Sequence, residues 1–121
     1  MKNNRILIID DEMDICWLLS ALLKKEGQST NFANSLEEGK QKIVEINPHI
    51  IFLDLNLPDG VGYSIIPYIQ KKSPNTTVVI ISAYDSQKER DYASSEFGIS
   101  HFIGKPLNKE LILKTINTIN L

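Results

Sequence analysis

A single cysteine, Cys16, in 121 residues excludes an internal disulfide framework and any cysteine-based zinc site of the finger type. A reduced, cytoplasmic setting fits that usage. Basic excess is missing too. Thirteen Lys and Arg stand against fifteen Asp and Glu, a formal net charge of −2, so bulk electrostatics would draw the chain neither to nucleic acid nor to an anionic membrane. No apolar run approaches the ~20 residues that a membrane span needs, and Met1 to Arg5 is short and polar, unlike a signal peptide. Internal repeats, low-complexity tracts and interdomain linkers are also wanting. What is present is 42% hydrophobic and 23% charged residues, enough to bury one core and too apolar for a disordered chain. One domain over residues 1–121 is expected.

Five short apolar runs punctuate the chain: Arg5–Asp10, Ser29–Ala33, His49–Asp54, Thr77–Ser82 and Ser100–Ile103. Each has strand length. Within them Ile6–Ile9, Ile50–Leu53 and Val78–Ile81 are continuously apolar rather than alternating, as parallel strands covered by helices on both faces are. Segments of helical period lie between. The first, about Met13–Glu26, sets Ile15, Leu18, Leu19, Leu22 and Leu23 on one face, with Gly27 as its stop. The second opens with a Ser35/Glu38 capping box and turns Leu36, Ile43 and Ile46 inward. Ser86 and Glu89 repeat that device ahead of a helix ending near Gly98. Asn108 is the expected N-cap of the last helix, whose inner face is Leu111, Ile112, Thr115, Ile116 and Ile119. A helix around Tyr63–Lys71 tolerates Pro67 only in its first turn. Five alternations of strand and helix with right-handed crossovers give an α/β fold, a doubly wound five-stranded parallel sheet with helices on both faces.

Ligands of such a sheet bind outside the carboxyl ends of the strands, where strand order reverses. The polar residues collect there. The first strand ends in Asp10, Asp11 and Glu12, the third in Asp54, the fourth in Ser82, and Lys105 follows the fifth. Clustered carboxylates raise one another's pKa unless a cation sits among them, and hard oxygen donors suit Mg²⁺ at ~2.0–2.1 Å. With the metal in place a carboxylate can act as nucleophile, while Lys105 and Ser82 offer a positive charge and a hydroxyl to a transferred phosphoryl group.

Four blocks stand at the right strand ends and in order: Ile-Leu-Ile-Ile-Asp-Asp-Glu (Ile6–Glu12), Phe-Leu-Asp-Leu-Asn-Leu-Pro-Asp-Gly (Phe52–Gly60), Ile-Ile-Ser-Ala (Ile80–Ala83) and Gly-Lys-Pro-Leu (Gly104–Leu107). In these the sequence resembles the receiver domains of bacterial two-component response regulators, over nearly its whole length. The resemblance implies the flavodoxin-like strand order 2-1-3-4-5 and a role for each residue. Asp54 would accept a phosphoryl group from a phosphohistidine on a sensor histidine kinase or histidine phosphotransfer protein. Asp11, Asp54 and the backbone carbonyl of Asn56 would ligate Mg²⁺ (or Mn²⁺), and Asp10 would hold a metal-bound water. Lys105 would pair with phosphoryl oxygens, and the Lys105–Pro106 bond would be cis. Ser82 would swing toward the phosphoryl group while Phe102 turns inward into the vacated space, changing the partner surface on the fourth helix, fifth strand and fifth helix. Serine and phenylalanine replace the commoner threonine and tyrosine, and neither change removes the function. Asn56 and Tyr84 hold the positions that tune the lifetime of the acyl phosphate.

Some residues carry competing readings. Trp17 falls opposite the apolar face of the first helix and is expected to be exposed, as an anchor for the phosphodonor partner or as a ring lying over its neighbours. Leu113, off the core face of the last helix, is a weaker contact candidate. His49 and His101 read as structural, and Cys16 as a helix residue without a catalytic role. The chain would then accept and lose its own phosphoryl group without turning over an external metabolite. Direct nucleic-acid and membrane binding are not expected; dimerisation on phosphorylation is left open, as is the choice between a stand-alone regulator and the receiver of a longer protein. A receiver-like module that signals without phosphate is the alternative reading. An aspartyl-phosphate phosphatase is disfavoured because Asn56 stands where such enzymes place a second acid.

Overall fold

The structure, a computed structural model, describes residues 3–120. Met1, Lys2 and Leu121, the ends of the domain read from the sequence, lie outside them. Along the chain come β1 (Arg5–Ile9), α1 (Met13–Lys25), β2 (Ser29–Ala33), α2 (Leu36–Ile46), β3 (Ile50–Asp54), β4 (Asn56–Leu57) and β5 (Gly60–Val61). A 3₁₀ turn (Gly62–Ile65) then leads into α3 (Ile66–Lys72), β6 (Thr77–Ser82), α4 (Gln87–Phe97), β7 (His101–Gly104) and α5 (Lys109–Ile119). Five strands form one parallel sheet in the order β2-β1-β3-β6-β7. Counted within that sheet alone this is 2-1-3-4-5, the expected topology. The two-residue strands β4 and β5 make a separate antiparallel ribbon, too short to leave a periodic signal in the sequence.

The continuous apolar runs are explained by the two faces of this sheet. Leu7, Ile9, Ile51, Leu53 and Ile80 point into one core beneath α2, α3 and α4, whereas Ile6, Ile8, Ile50, Phe52, Val79 and Ile81 point into another beneath α1 and α5. Alternate side chains leave a strand on opposite faces, so a strand covered on both must be apolar throughout. Each fully buried Ile or Leu contributes roughly 1.5–3 kcal/mol of transfer free energy.

The helices refine the expected faces. In α1 the buried stripe is Cys16, Leu19, Ser20 and Leu23, while Ile15 and Leu22 are half-buried. Leu18, expected inside, is 57% exposed beside Trp17 at 62%. A leucine-rich helix offers two stripes one residue apart. The small residues Cys16 and Ser20 select the one that lets the helix approach the sheet, where the Ser20 and Thr30 hydroxyls share a hydrogen bond at 2.6 Å. In α5, Ile112, Thr115 and Ile116 are buried, Ile119 is half-buried, and Leu111 lies at the exposed margin. Leu113 is half-buried on the outer side.

Caps form where expected but with altered partners. Ser35 Oγ accepts from Glu38 N at 3.1 Å, yet the Glu38 carboxylate accepts from Asn34 N at 2.7 Å rather than closing the box on Ser35. Two further N–H groups at that helix start, of Leu36 and Glu37, donate to the Asp59 carboxylate at 2.8 and 3.0 Å. Ser86 Oγ accepts from Glu89 N at 3.2 Å, and the Glu89 carboxylate takes the Tyr63 hydroxyl at 2.9 Å. Asn108 caps α5 through Leu111 N at 3.0 Å. Pro67 occupies the first turn of α3, where its missing N–H costs nothing. His49 accepts from Arg5 N through Nδ1 at 2.9 Å and donates its own N–H to Arg5 O at 2.8 Å, a structural link between β1 and β3. No helix among the described residues is long and apolar enough to cross a membrane.

Candidate functional site

Four parallel strands deliver their last residues to one edge. Asp10 follows β1 and is fixed by its N–H to Ala33 O at 3.0 Å; Asp54 ends β3; Ser82 ends β6; and Lys105, just past β7, donates its N–H to Ser82 O at 2.7 Å. The backbone thus aims two acids, a hydroxyl and an ammonium at a common point. Lys105 Nζ lies 2.7 Å from Glu12 Oε1, 3.0 Å from Asp10 Oδ2 and 3.7 Å from Asp54 Oδ1. Both aspartates are buried, at 0% and 4% exposure.

Three carboxylates facing one ammonium leave the cluster short of positive charge. Burial, with the Asp10 carboxylate second, pushes the Asp54 carboxyl up to about 6, against the pull of Lys105 and of the Asn56 and Leu55 N–H groups. Asp10 is raised by burial as well, opposed by the Glu12 N–H bond and by Lys105. Burial alone would lower the Lys105 ammonium; hydrogen bonds and charge from Glu12, Asp10 and Asp54 together outweigh it and hold Lys105 above its ordinary value.

Carboxylate oxygens of Asp10, Glu12 and Asp54 all lie within 4.8 Å of one another. Asp10 Oδ1 accepts from Glu12 N at 2.9 Å, whereas Asp10 Oδ2 is buried without a hydrogen bond, its Lys105 contact being an ion pair without aligned geometry. A buried carboxylate oxygen with that deficit is what a hard cation satisfies, so the donor set fits a divalent metal. Asp11 is exposed and outside the group; Glu12 stands alongside Asp10 and Asp54 where the sequence pointed to Asp11. The chain bends at Asp11, and although Glu12 is itself exposed, its carboxylate reaches back to Lys105 beside Asp10.

The remaining expected residues surround this cluster. Asn56 opens β4, exposed, with its N–H toward the Asp54 carboxylate. Ser82 is buried and its Oγ accepts from Tyr84 N at 3.0 Å; the Tyr84 ring is 70% exposed on the rim. Phe102 is buried, in the inward position that the resemblance assigns to the phosphorylated state. The Lys105–Pro106 bond is cis. Trp17 is exposed on α1 as expected. His101 sits within β7, and Cys16 lies behind the cluster, its Sγ 3.3 Å from Asp10 O and its thiol pushed up to about 11, first by burial and then by Asp10.

Sequence reasoning passed over two supporting residues. Asn34 Nδ2 donates to Asp10 O at 2.9 Å, pinning the end of β1; its signal was a lone amide just past the second strand, itself at the functional edge. Gly62 allows the chain to fold back under Asp54, because a Cβ there would clash with the Asp54 carbonyl oxygen.

Residues 6–117 match the family model described as the response regulator receiver domain. The chain belongs to the response regulator receiver domain family. This receiver is 33% identical over 117 residues to the transcriptional regulatory protein CssR of Bacillus subtilis (strain 168), covering 96% of the present chain and 51% of CssR. It spans about half of that relative, and 24% of the response regulator protein PilR of Pseudomonas aeruginosa, to which it is 32% identical over 108 residues, 89% of this chain. Its fold superimposes with a TM-score of 0.88 on a CheY-like receiver domain protein from Methanospirillum hungatei JF-1, at 28% identity and with 98% and 95% of the two chains covered.

Proposed function

We propose that this receiver accepts a phosphoryl group on Asp54 in a Mg²⁺-dependent reaction and changes its partner surface in response. The observation that carries the proposal is the buried Asp54 carboxylate held beside Asp10, Glu12 and the Lys105 ammonium. The donor is a phosphohistidine on a sensor kinase or phosphotransfer protein of the same signalling class. An Asp54 oxygen attacks phosphorus, the phosphorus–nitrogen bond to the imidazole breaks, and the imidazole leaves with the electron pair. Asp54, the Asn56 carbonyl, Asp10 and a neighbouring acid, Asp11 or Glu12, would hold the divalent cation, which when bound would neutralise charge on the phosphoryl oxygens. Lys105 pairs with one of those oxygens, exchanging its Glu12 partner for it. The Ser82 hydroxyl, which now accepts from Tyr84, keeps its own proton for donation. Tyr84 and Asn56 on the rim govern the access of water to the acyl phosphate. The exposed Trp17 on α1 is the anchor for the donor protein.

Beryllofluoride activates one similar receiver, that of NtrC4, a dimer 36% identical to this chain with a TM-score of 0.87 and 95% and 94% of the two chains covered; this supports its use as a phosphoryl mimic here. Incubated with acetyl phosphate and Mg²⁺, the protein is expected to gain the mass of one phosphoryl group, and to gain none without Mg²⁺ or as Asp54→Asn. A gain that survives Asp54→Asn would move the acceptor elsewhere. No gain together with no binding of beryllofluoride would favour a module that signals without phosphate. Trp17→Ala should leave acetyl phosphate labelling intact and slow transfer from a cognate kinase.

A further inference from the structure

Arg90 stands in the first turn of α4, its N–H donating to Ser86 O at 3.0 Å. The guanidinium forks onto Asp85, Nε to Oδ1 at 2.7 Å and Nη2 to Oδ2 at 2.9 Å. Its central carbon also lies 5.4 Å from the centre of the Phe102 ring. The Asp85 side chain fills the space over Gly104 in β7, where a Cβ would fall 2.7 Å from Asp85 Oδ2. One ion pair therefore ties the loop after Ser82 to the strand carrying Phe102 and leading to Lys105. Beyond the ring, Gln87, Asp91, Ser94 and Ile99 border an open groove of about 370 Å³, room into which an unclamped ring could swing.

A half-exposed ion pair alone adds little stability. A bidentate fork whose cation also covers an aromatic face fixes position as well. We infer that the Asp85–Arg90 pair is a clamp that keeps Phe102 inward and biases the receiver toward its phosphoryl-binding arrangement. The inference rests on the phosphoacceptor reading for its consequence, though not for the clamp itself. Because the phosphoryl group favours the arrangement with the ring inward, whatever stabilises that arrangement raises affinity for the phosphoryl mimic by up to the same factor, through the fraction of molecules that hold it. Asp85 and Arg90 stand outside the acidic cluster of Asp10, Glu12 and Asp54, so they act as positioning residues.

The test replaces phenylalanine by 3-fluorophenylalanine throughout, assigns the Phe102 resonance by its loss in Phe102→Leu, and compares wild type with Arg90→Met, which keeps an apolar stem without the fork. In the wild type the Phe102 fluorine should be insensitive to exchange of H₂O for D₂O; in Arg90→Met it should become solvent-sensitive or exchange-broadened. Calorimetry should show beryllofluoride affinity, with Mg²⁺ present, falling by up to about five-fold, the ceiling that a cation–π contact at a part-exposed site sets. Mg²⁺ affinity alone should hold, and Asp85→Asn with Arg90→Met should weaken binding no further than either change by itself. An unchanged Phe102 resonance overturns the clamp, as does an equal fall in Mg²⁺ affinity. Failure of the wild type to bind beryllofluoride overturns the phosphoacceptor reading instead, and the fluorine spectrum still decides the clamp.

Discussion

Asp54 is ionised at neutral pH only against the preference of its surroundings. A carboxyl whose folded pKa, about 6, stands above its ordinary 3.8 binds its proton more tightly folded than unfolded, so folding gains stability as pH falls through 6 toward 4 and loses it as pH rises. At pH 7.5, without divalent cations, Asp54→Asn should therefore melt higher than wild type, by on the order of 1–3 kcal/mol of stability. The gap should close as pH approaches 4. Saturating Mg²⁺ should raise the wild-type Tm and leave the variant nearly unmoved, and thermal melts across pH with and without Mg²⁺ check both statements. Asp10, Asp54, Ser82 and Lys105 were legible in the sequence because each follows an apolar run that can only be a strand, and parallel strands end together. Glu12 was legible as one of the acids at this edge, but not as the one whose carboxylate joins Asp10 and Asp54. Neighbouring acids are equivalent as letters, and only the folded positions of their carboxylates relative to Lys105 distinguish them.

Among the helices α4 departs furthest from self-sufficiency. Of its eleven residues only Ala93 is fully buried, so its seat depends on particular contacts rather than on an apolar stripe. Tyr63 stacks on Phe97 with ring centres 5.2 Å apart and meets Tyr92 edge-on at 5.1 Å, while its hydroxyl donates to Glu89. Tyr63→Phe retains the ring contacts and loses one hydrogen bond to a charged acceptor, an expected cost of about 1–2 kcal/mol, read from the denaturant midpoint. Asp59→Ala should lower the Tm by leaving the Leu36 and Glu37 N–H groups of α2 without their acceptor. Strand bounds came close to their sequence reading, and Ser35, Ser86 and Asn108 cap as expected. The partners that redirect Glu38 and Glu89 escaped it, because Asn34 lies one residue outside the box and Tyr63 is distant in sequence. The Leu18 stripe failed for another reason: hydrophobicity ranks leucine above cysteine and serine, and close approach to a sheet ranks them the other way.

At the scale of the molecule, one sheet divides the interior in two, and the strands at its centre are covered above and below as well as paired on both sides. That arrangement was readable from the unbroken Ile6–Ile9 and Ile50–Leu53 runs, which make sense in no half-exposed strand. It also grades the lifetimes of amide protons. Amides of β1 and β3, the strands that lead to Asp10 and Asp54, can exchange with solvent only when the whole fold opens, whereas those of the exposed Ala83–Ser86 loop need only a local fluctuation. In deuterium the floor of the site should retain its protons for the longest times the protein allows, and the rim should lose them first. Such a site can open its rim to solvent again and again while the Asp10 and Asp54 carboxylates on its floor keep their place.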